Sequence, residues 1–259
     1  MTANHPLVPV RESGRSSVRL RRFVRETVGW AVGIPMATFR YFTRDVDLHR
    51  FEEKLDEPIA DLNPEPDVAA DETTQPPSTG VGPEFYRRYS LRIRRPRISA
   101  EQLIDVLSAD PNVAAPVELA RFVKLEGEPD EMSVGDEYVV RMPGPWNGPV
   151  RVTSRTPHSF GLVTLKGHME AGEIEFTAKP RSDGAIDFRI ESWARSNGWL
   201  FHLLYHRLRL SKEVQMHMWA EFCQRAALVA GGKPEDGIEV RTARYEDDDE
   251  DDRRSAAPV

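Results

Sequence analysis

The chain has 259 residues, 39% of them hydrophobic and 30% charged, with a formal net charge of -7. That is enough for one ordinary domain with extensions, and the negative balance argues against a general nucleic-acid-binding surface. A single cysteine, Cys223, excludes an internal disulfide framework and any Cys-rich zinc or iron–sulfur site, and nothing in the sequence calls for a metal or cofactor. No window approaches the roughly 18 apolar residues of a membrane span and the N-terminus lacks a secretory pattern, so the expectation is a soluble, cytoplasmic protein.

Residues 1–50 read as a basic, amphipathic helical arm. Arg11 to Arg50 carries nine arginines against four acids and surrounds an uncharged stretch from Thr27 to Phe39. Arginines mixed with aromatics suit peripheral contact with a membrane or a protein, so Arg19, Arg22, Phe23 and Trp30 are the candidate contact residues. Residues 51–79 read as an acidic, Pro-rich linker, because Pro58, Pro64, Pro66 and the sequence QPPSTG from Gln75 to Gly80 carry no apolar period. Residues 233–259, with the run EDDDEDD, read as an acidic disordered tail.

The remaining segment, 80–232, has the length of one domain. Phe85 to Arg95 alternates Tyr89, Leu91 and Ile93 with Arg88, Ser90, Arg92 and Arg94, the period of a strand with one wet face. Ser99, followed by Glu101 and Gln102, opens a short helix with Leu103, Ile104, Val106 and Leu107 as its apolar side, and Asp110-Pro111-Asn112 stops it. Strands are predicted over Val117–Leu125, Glu137–Met142, Val150–Ser154, Phe160–Leu165, Gly172–Ala178 and Ala185–Trp193, before a helix from about Asn197 to Ala230. Between the last two strands, matching Ile174, Phe176 and Ala178 to Ile186, Phe188 and Ile190 requires a three-residue turn, Ser182-Asp183-Gly184, with Lys179 opposite Asp187.

This order predicts an α+β fold with a curved, largely antiparallel sheet around a long C-terminal helix, and it resembles the helix-grip arrangement of the START-like or Bet v 1-like superfamily. That resemblance implies an apolar ligand held between sheet and helix. On the terminal helix, Leu204, Leu208, Met218, Trp219, Phe222, Ala226 and Val229 share one side, and Gln215 falls within that stripe as a polar residue in need of a partner. His202, His206, Glu213 and His217 share the other side, but His206 and His217 lie about 16 Å apart along a helix, too far for one ion.

The densest polar cluster is KGHMEAGE, Lys166 to Glu173, between two predicted strands. A carboxylate beside a histidine can orient a proton acceptor or recognise a ligand, whereas glycines flanking polar residues also make an ordinary connection. The candidate ligand-binding residues are His168, Glu170, Glu173 and Gln215, and no catalytic residue is assigned. With FGLVTLKGHMEAGEIEF, IDFRIESWARS and Gln215, the stretch Phe160 to Ala226 resembles the bacterial family called domain of unknown function 1990. The matching residues are Gly167, His168, Glu170, Gly172 and Glu173, and Met169 stands where that family usually has proline. Since some members look attached to membrane proteins, the resemblance implies membrane contact by the arm. Three roles follow: non-catalytic binding of an apolar or amphipathic small molecule, a scaffold with a filled interior and a contacting arm, or a cyclase- or hydrolase-like enzyme.

Overall fold

The computed structural model describes residues 48–55, 71–142, 147–196 and 209–245. The expected basic arm with Arg19, Arg22, Phe23 and Trp30, most of the predicted linker, the predicted start of the terminal helix with Leu204 and Leu208, and the EDDDEDD run lie outside the described residues. The strands are β1 Leu48–Leu55, β2 Val81–Arg94, β3 Arg121–Glu126, β4 Glu137–Arg141, β5 Asn147–Thr156, β6 Ser159–Thr164, β7 Glu170–Pro180, β8 Ile186–Ser196 and β9 Lys233–Tyr245. Among the described residues two helices join them, α1 Ala100–Ala109 and α2 Arg209–Val229.

The elements arise for local reasons that the sequence shows. Ser99 accepts from the Gln102 N–H while the Gln102 side chain accepts from the Ser99 N–H, a reciprocal cap that starts α1. Leu103, Ile104 and Leu107 of that helix are buried, whereas Val106 is exposed. The β7–β8 turn has the expected three-residue form: Arg181 N–H bonds to the Ala185 carbonyl, Lys179 opposes Asp187, and Gly184 adopts a positive φ of 79°.

The nine strands form one sheet in the order β1-β9-β2-β8-β7-β6-β5-β4-β3, antiparallel throughout except for the parallel β1–β9 pair. Here the expected curved sheet around a long helix is corrected. The sheet is open and not strongly curled. The helix α2 rests on β2, β8 and β9 while α1 covers β6 and β7, so two helices share one broad face and neither is gripped. A wide platform of this kind buries both apolar stripes side by side.

The domain boundary expected at 232 is also corrected, because residues 233–245 form β9 in the interior of the sheet, between β1 and β2. Asp236 and Gly237, both at positive φ, make a bulge where the register against β2 shifts, and beyond it Ile238 and Val240 turn inward and are buried. Acidic residues of this segment serve the other face: Glu239 pairs with Arg88 at 3.5 Å, and Glu235 with Arg94 at 3.0 Å and Arg92 at 3.6 Å. Likewise Gln75 to Gly80, read as linker, holds buried Gln75 and Pro77 and is bonded to the sheet.

A chain ending at Gly232 loses β9 and with it the burial of Ile238 and Val240, each worth about 1.5 to 3 kcal/mol. We expect this truncation to abolish the cooperative urea transition. In the full chain, Val240→Asp should lower stability by about 3 kcal/mol or more, because it buries an unpaired carboxylate. Transitions of both proteins matching that of the unaltered chain would place β9 outside the cooperative unit.

Candidate functional site

The predicted KGHMEAGE cluster lies at the β6–β7 connection, and Gln75 braces it. The Gln75 N–H donates to the Thr164 carbonyl at 2.7 Å, and its own carbonyl accepts from Thr164 Oγ1 and from Gly172 N–H, both at 2.8 Å. Its side-chain oxygen accepts from Gly167 N–H at 3.0 Å. Two glycines are required here for separate reasons. Gly167 sits at φ 99°, and a Cβ on Gly172 would lie 2.4 Å from the Trp193 carbonyl.

In this brace His168 lies with its ring edge against Gly148, where an added Cβ would stand 2.9 Å from Nε2. The Glu170 N–H donates to Nδ1 at 2.9 Å, which leaves the proton of the neutral ring on Nε2. Burial holds the imidazole below its ordinary pKa, outweighing the nearby Glu170 carboxylate. The same loop therefore presents Glu170 with its backbone fixed by its neighbour.

Glu170 turns toward α2, where its Oε2 accepts from Gln215 Nε2 at 3.1 Å. On the other side Gln215 Oε1 accepts from Arg87 Nη1, also at 3.1 Å. The amide has its oxygen toward the cation and its nitrogen toward the carboxylate, the orientation that satisfies both charges. Arg87 is buried and its guanidinium stands 5.3 Å over the Phe85 ring, with that of Arg244 5.9 Å from the same ring.

One turn along α2 the polar bridge gives way to aromatics. Trp219 meets Phe176 edge-on at 5.6 Å, Phe222 lies 5.2 Å from Phe176 and 6.4 Å from Phe188, and Phe160 stacks on Phe176 at 4.6 Å. Cys223 is fully buried beside them, and burial pushes its thiol pKa up. The face thus grades from rings to a charged, amide-bridged end.

Of the four predicted residues, His168, Glu170 and Gln215 come together and Glu173 does not. Along a strand, side chains three residues apart point to opposite faces, so Glu173 lies on the helix-free side, cross-strand from Trp193. On that side Trp193 packs with Tyr86, Ala243 and Tyr245, and the Tyr86 hydroxyl donates to Glu191. Directly across from Glu191 stands Glu175, whose carboxyl pKa is raised by burial first. Of the predicted histidine stripe, His202, His206 and the Glu213 side chain lie outside the described residues. His217 is half-buried, and burial together with the Arg50 charge lowers its pKa to about 4.

Sequence reasoning missed Arg87 and Gln75. Arg87 was legible by parity, since it lies two residues before inward-facing Tyr89. Gln75 carried no periodic signal, because it works through its backbone and one amide rather than through an apolar face.

An α+β domain with two helices on one face of an open sheet, and a charged, amide-bridged site at one end of the longer helix, is the class these features define. The chain belongs to the family described as domain of unknown function 1990, whose profile matches residues 78–225. No curated protein matches it in sequence. Among solved structures it is similar to a conserved protein of Geobacillus kaustophilus, at 14% identity and a TM-score of 0.41, covering 56% of this chain and 95% of that one. A norcoclaurine synthase mutant of Thalictrum flavum is similar at 11% identity and a TM-score of 0.41, covering 58% and 96% of the two chains. A Deinococcus radiodurans protein follows at 14% and 0.36, covering 54% and 92%. Likeness at this level carries no argument about activity and leaves the expected START-like relationship unsupported.

Both lowered histidines make stability depend on pH. The unfolded chain takes up protons at about pH 6.5 while the folded chain does not, so stability is full above that value and falls on acidification, the share from His217 continuing to about pH 4. His168→Asn keeps an acceptor for the Glu170 N–H and removes one titration. Urea melts from neutral to acidic pH should show a shallower loss in this variant; an unchanged slope would mean that His168 titrates normally. At neutral pH, Gly148→Ala should cost about 1 to 3 kcal/mol by driving a methyl into the imidazole.

Proposed function

We propose that this domain is a non-catalytic binding module for an amphipathic small molecule, with the polar head of the ligand at the Arg87–Gln215–Glu170 bridge and its apolar part toward Trp219 and Ile174. The observation that carries the reading is that bridge, a cation, an amide and a carboxylate lined up on the helix face at the edge of the aromatic packing. Together the three groups both donate and accept, which suits a hydroxyl or carboxamide head group better than a simple ion. Binding rather than turnover is favoured because each group is engaged with its neighbour, and the only cysteine is enclosed. A cytoplasmic location belongs to this same proposal. Among the described residues no helix is long and apolar enough to cross a membrane.

Gently purified full-length protein should show a co-purifying small molecule in native mass spectrometry. In Gln215→Leu the adduct should fall at least about tenfold, the scale of one lost charge-assisted contact of 1.4 kcal/mol or more, while the near-ultraviolet circular dichroism is kept. The aromatic packing of Phe160, Phe176, Phe188 and Phe222 favours a second reading, a scaffold whose interior is filled by its own side chains. An unliganded mass for the unaltered protein, with no adduct under any gentle preparation, would support the scaffold and sink the ligand.

In either reading the basic arm supplies reversible contact with an acidic surface, through charge at Arg19 and Arg22 and apolar contact at Phe23 and Trp30. Full-length protein should float with anionic vesicles and not neutral ones, and added salt should release it. Failure to float at low salt would remove membrane contact from this reading.

A further inference from the structure

One edge of the sheet is a strand that is complementary to itself. Among the described residues β1 is paired on one side only, with β9, so its other edge presents a row of backbone donors and acceptors. His49, Arg50, Phe51, Glu52 and Glu53 are all exposed, and Phe51 is 53% exposed, a large apolar ring on an open strand. Leu48 packs on the core beneath the helices, which puts Arg50 and Glu52 on the helix side and His49, Phe51 and Glu53 on the other. The guanidinium of Arg241, 5.4 Å over the Phe51 ring, marks that same outer side.

Two copies of a strand joined antiparallel by a twofold axis oppose each residue to its mirror position about the axis. With the axis through Phe51, Phe51 meets Phe51, Arg50 meets Glu52 twice, and His49 meets Glu53 twice. Moving the axis by one residue sets Arg50 against Arg50 or Glu52 against Glu52. Directly opposed like charges are unfavourable in a sheet and opposite charges favourable, so the charge pattern selects one register. We propose that the free edge of β1 is a homodimer interface, in which two sheets join antiparallel about Phe51 with their helices on the same side. The occupant is a second copy of this chain, because β1 from His49 to Glu53 is its own complement. A single shared strand buries little surface, which makes this dimer dependent on concentration.

Sedimentation velocity of the full chain should show a species of twice the 29.4 kDa chain mass that dissociates on dilution. Arg50→Glu and Glu52→Arg should each sediment as monomers, and an equimolar mixture of the two should recover the dimer, because each then supplies the charges the other lacks. Phe51→Cys should form a single disulfide-linked dimer under mild oxidation, as opposed Cβ atoms stand about 5 Å apart. Cys223 is buried and should not contribute. Leu228→Cys, 73% exposed on α2, is the control that should stay uncrosslinked. Monomers at every concentration overturn the proposal, as does a dimer that persists in both charge variants.

Discussion

The placement of Phe222 between Phe176 and Phe188 sets the geometry on which the rest of the helix face depends. Phe222 is fully buried, and burying such a side chain contributes about 1.5 to 3 kcal/mol, with roughly 0.5 to 1.5 more for each well-oriented aromatic pair. Those contacts fix the rotation of α2 about its axis. Since residues three and four apart share a helix face, Trp219 then falls on Phe176 and Gln215 falls over the start of β7. A hydrogen bond to a charged group nets about 1.5 to 3 kcal/mol, so the two bonds of the polar bridge reinforce an orientation that the burial and ring contacts of Phe222 and Trp219 set.

That order of causes explains why an amide stands between Arg87 and Glu170. A direct ion pair would bring two desolvated charges together at a cost that depends on near-perfect geometry, whereas Gln215 satisfies both with one side chain carried on an element already held in place. The carboxylate in turn relies on a connection stitched by Gln75 through backbone and side-chain bonds. Rigid support of this kind positions polar groups without requiring them to supply the stability.

The helix-free face follows a different logic. Arg88, Arg92 and Arg94 of β2 meet Glu239, Glu235 and Asp187 from the strands on either side. Such partly exposed pairs add little stability, but they penalise a shifted register that would oppose like charges. Strand order on this side is written in charge, as it is written in apolar volume on the other.

Most local elements were legible in the sequence because their causes are local. The Ser99 cap, the alternation around Tyr89, Leu91 and Ile93, and the parity argument at Ser182-Asp183-Gly184 depend on neighbours a few residues apart. His168 and Glu170 stood out as members of the densest polar cluster, and Gln215 as a polar residue within an apolar helical stripe. Tertiary structure alone decided which partners they found, whereas Glu173 parted from Glu170 by strand parity once β7 began at Glu170. In residues 233–245 the pattern after Asp236-Gly237, with Ile238 and Val240 two apart, was a strand signal submerged in acidic composition, because those acids answer arginines of β2 more than a hundred residues away. Nor could the sequence show whether the sheet would curl around one helix or stay open beneath two. That outcome depends on where α1 and β9 pack, and contacts distant along the chain leave no periodic trace in either partner.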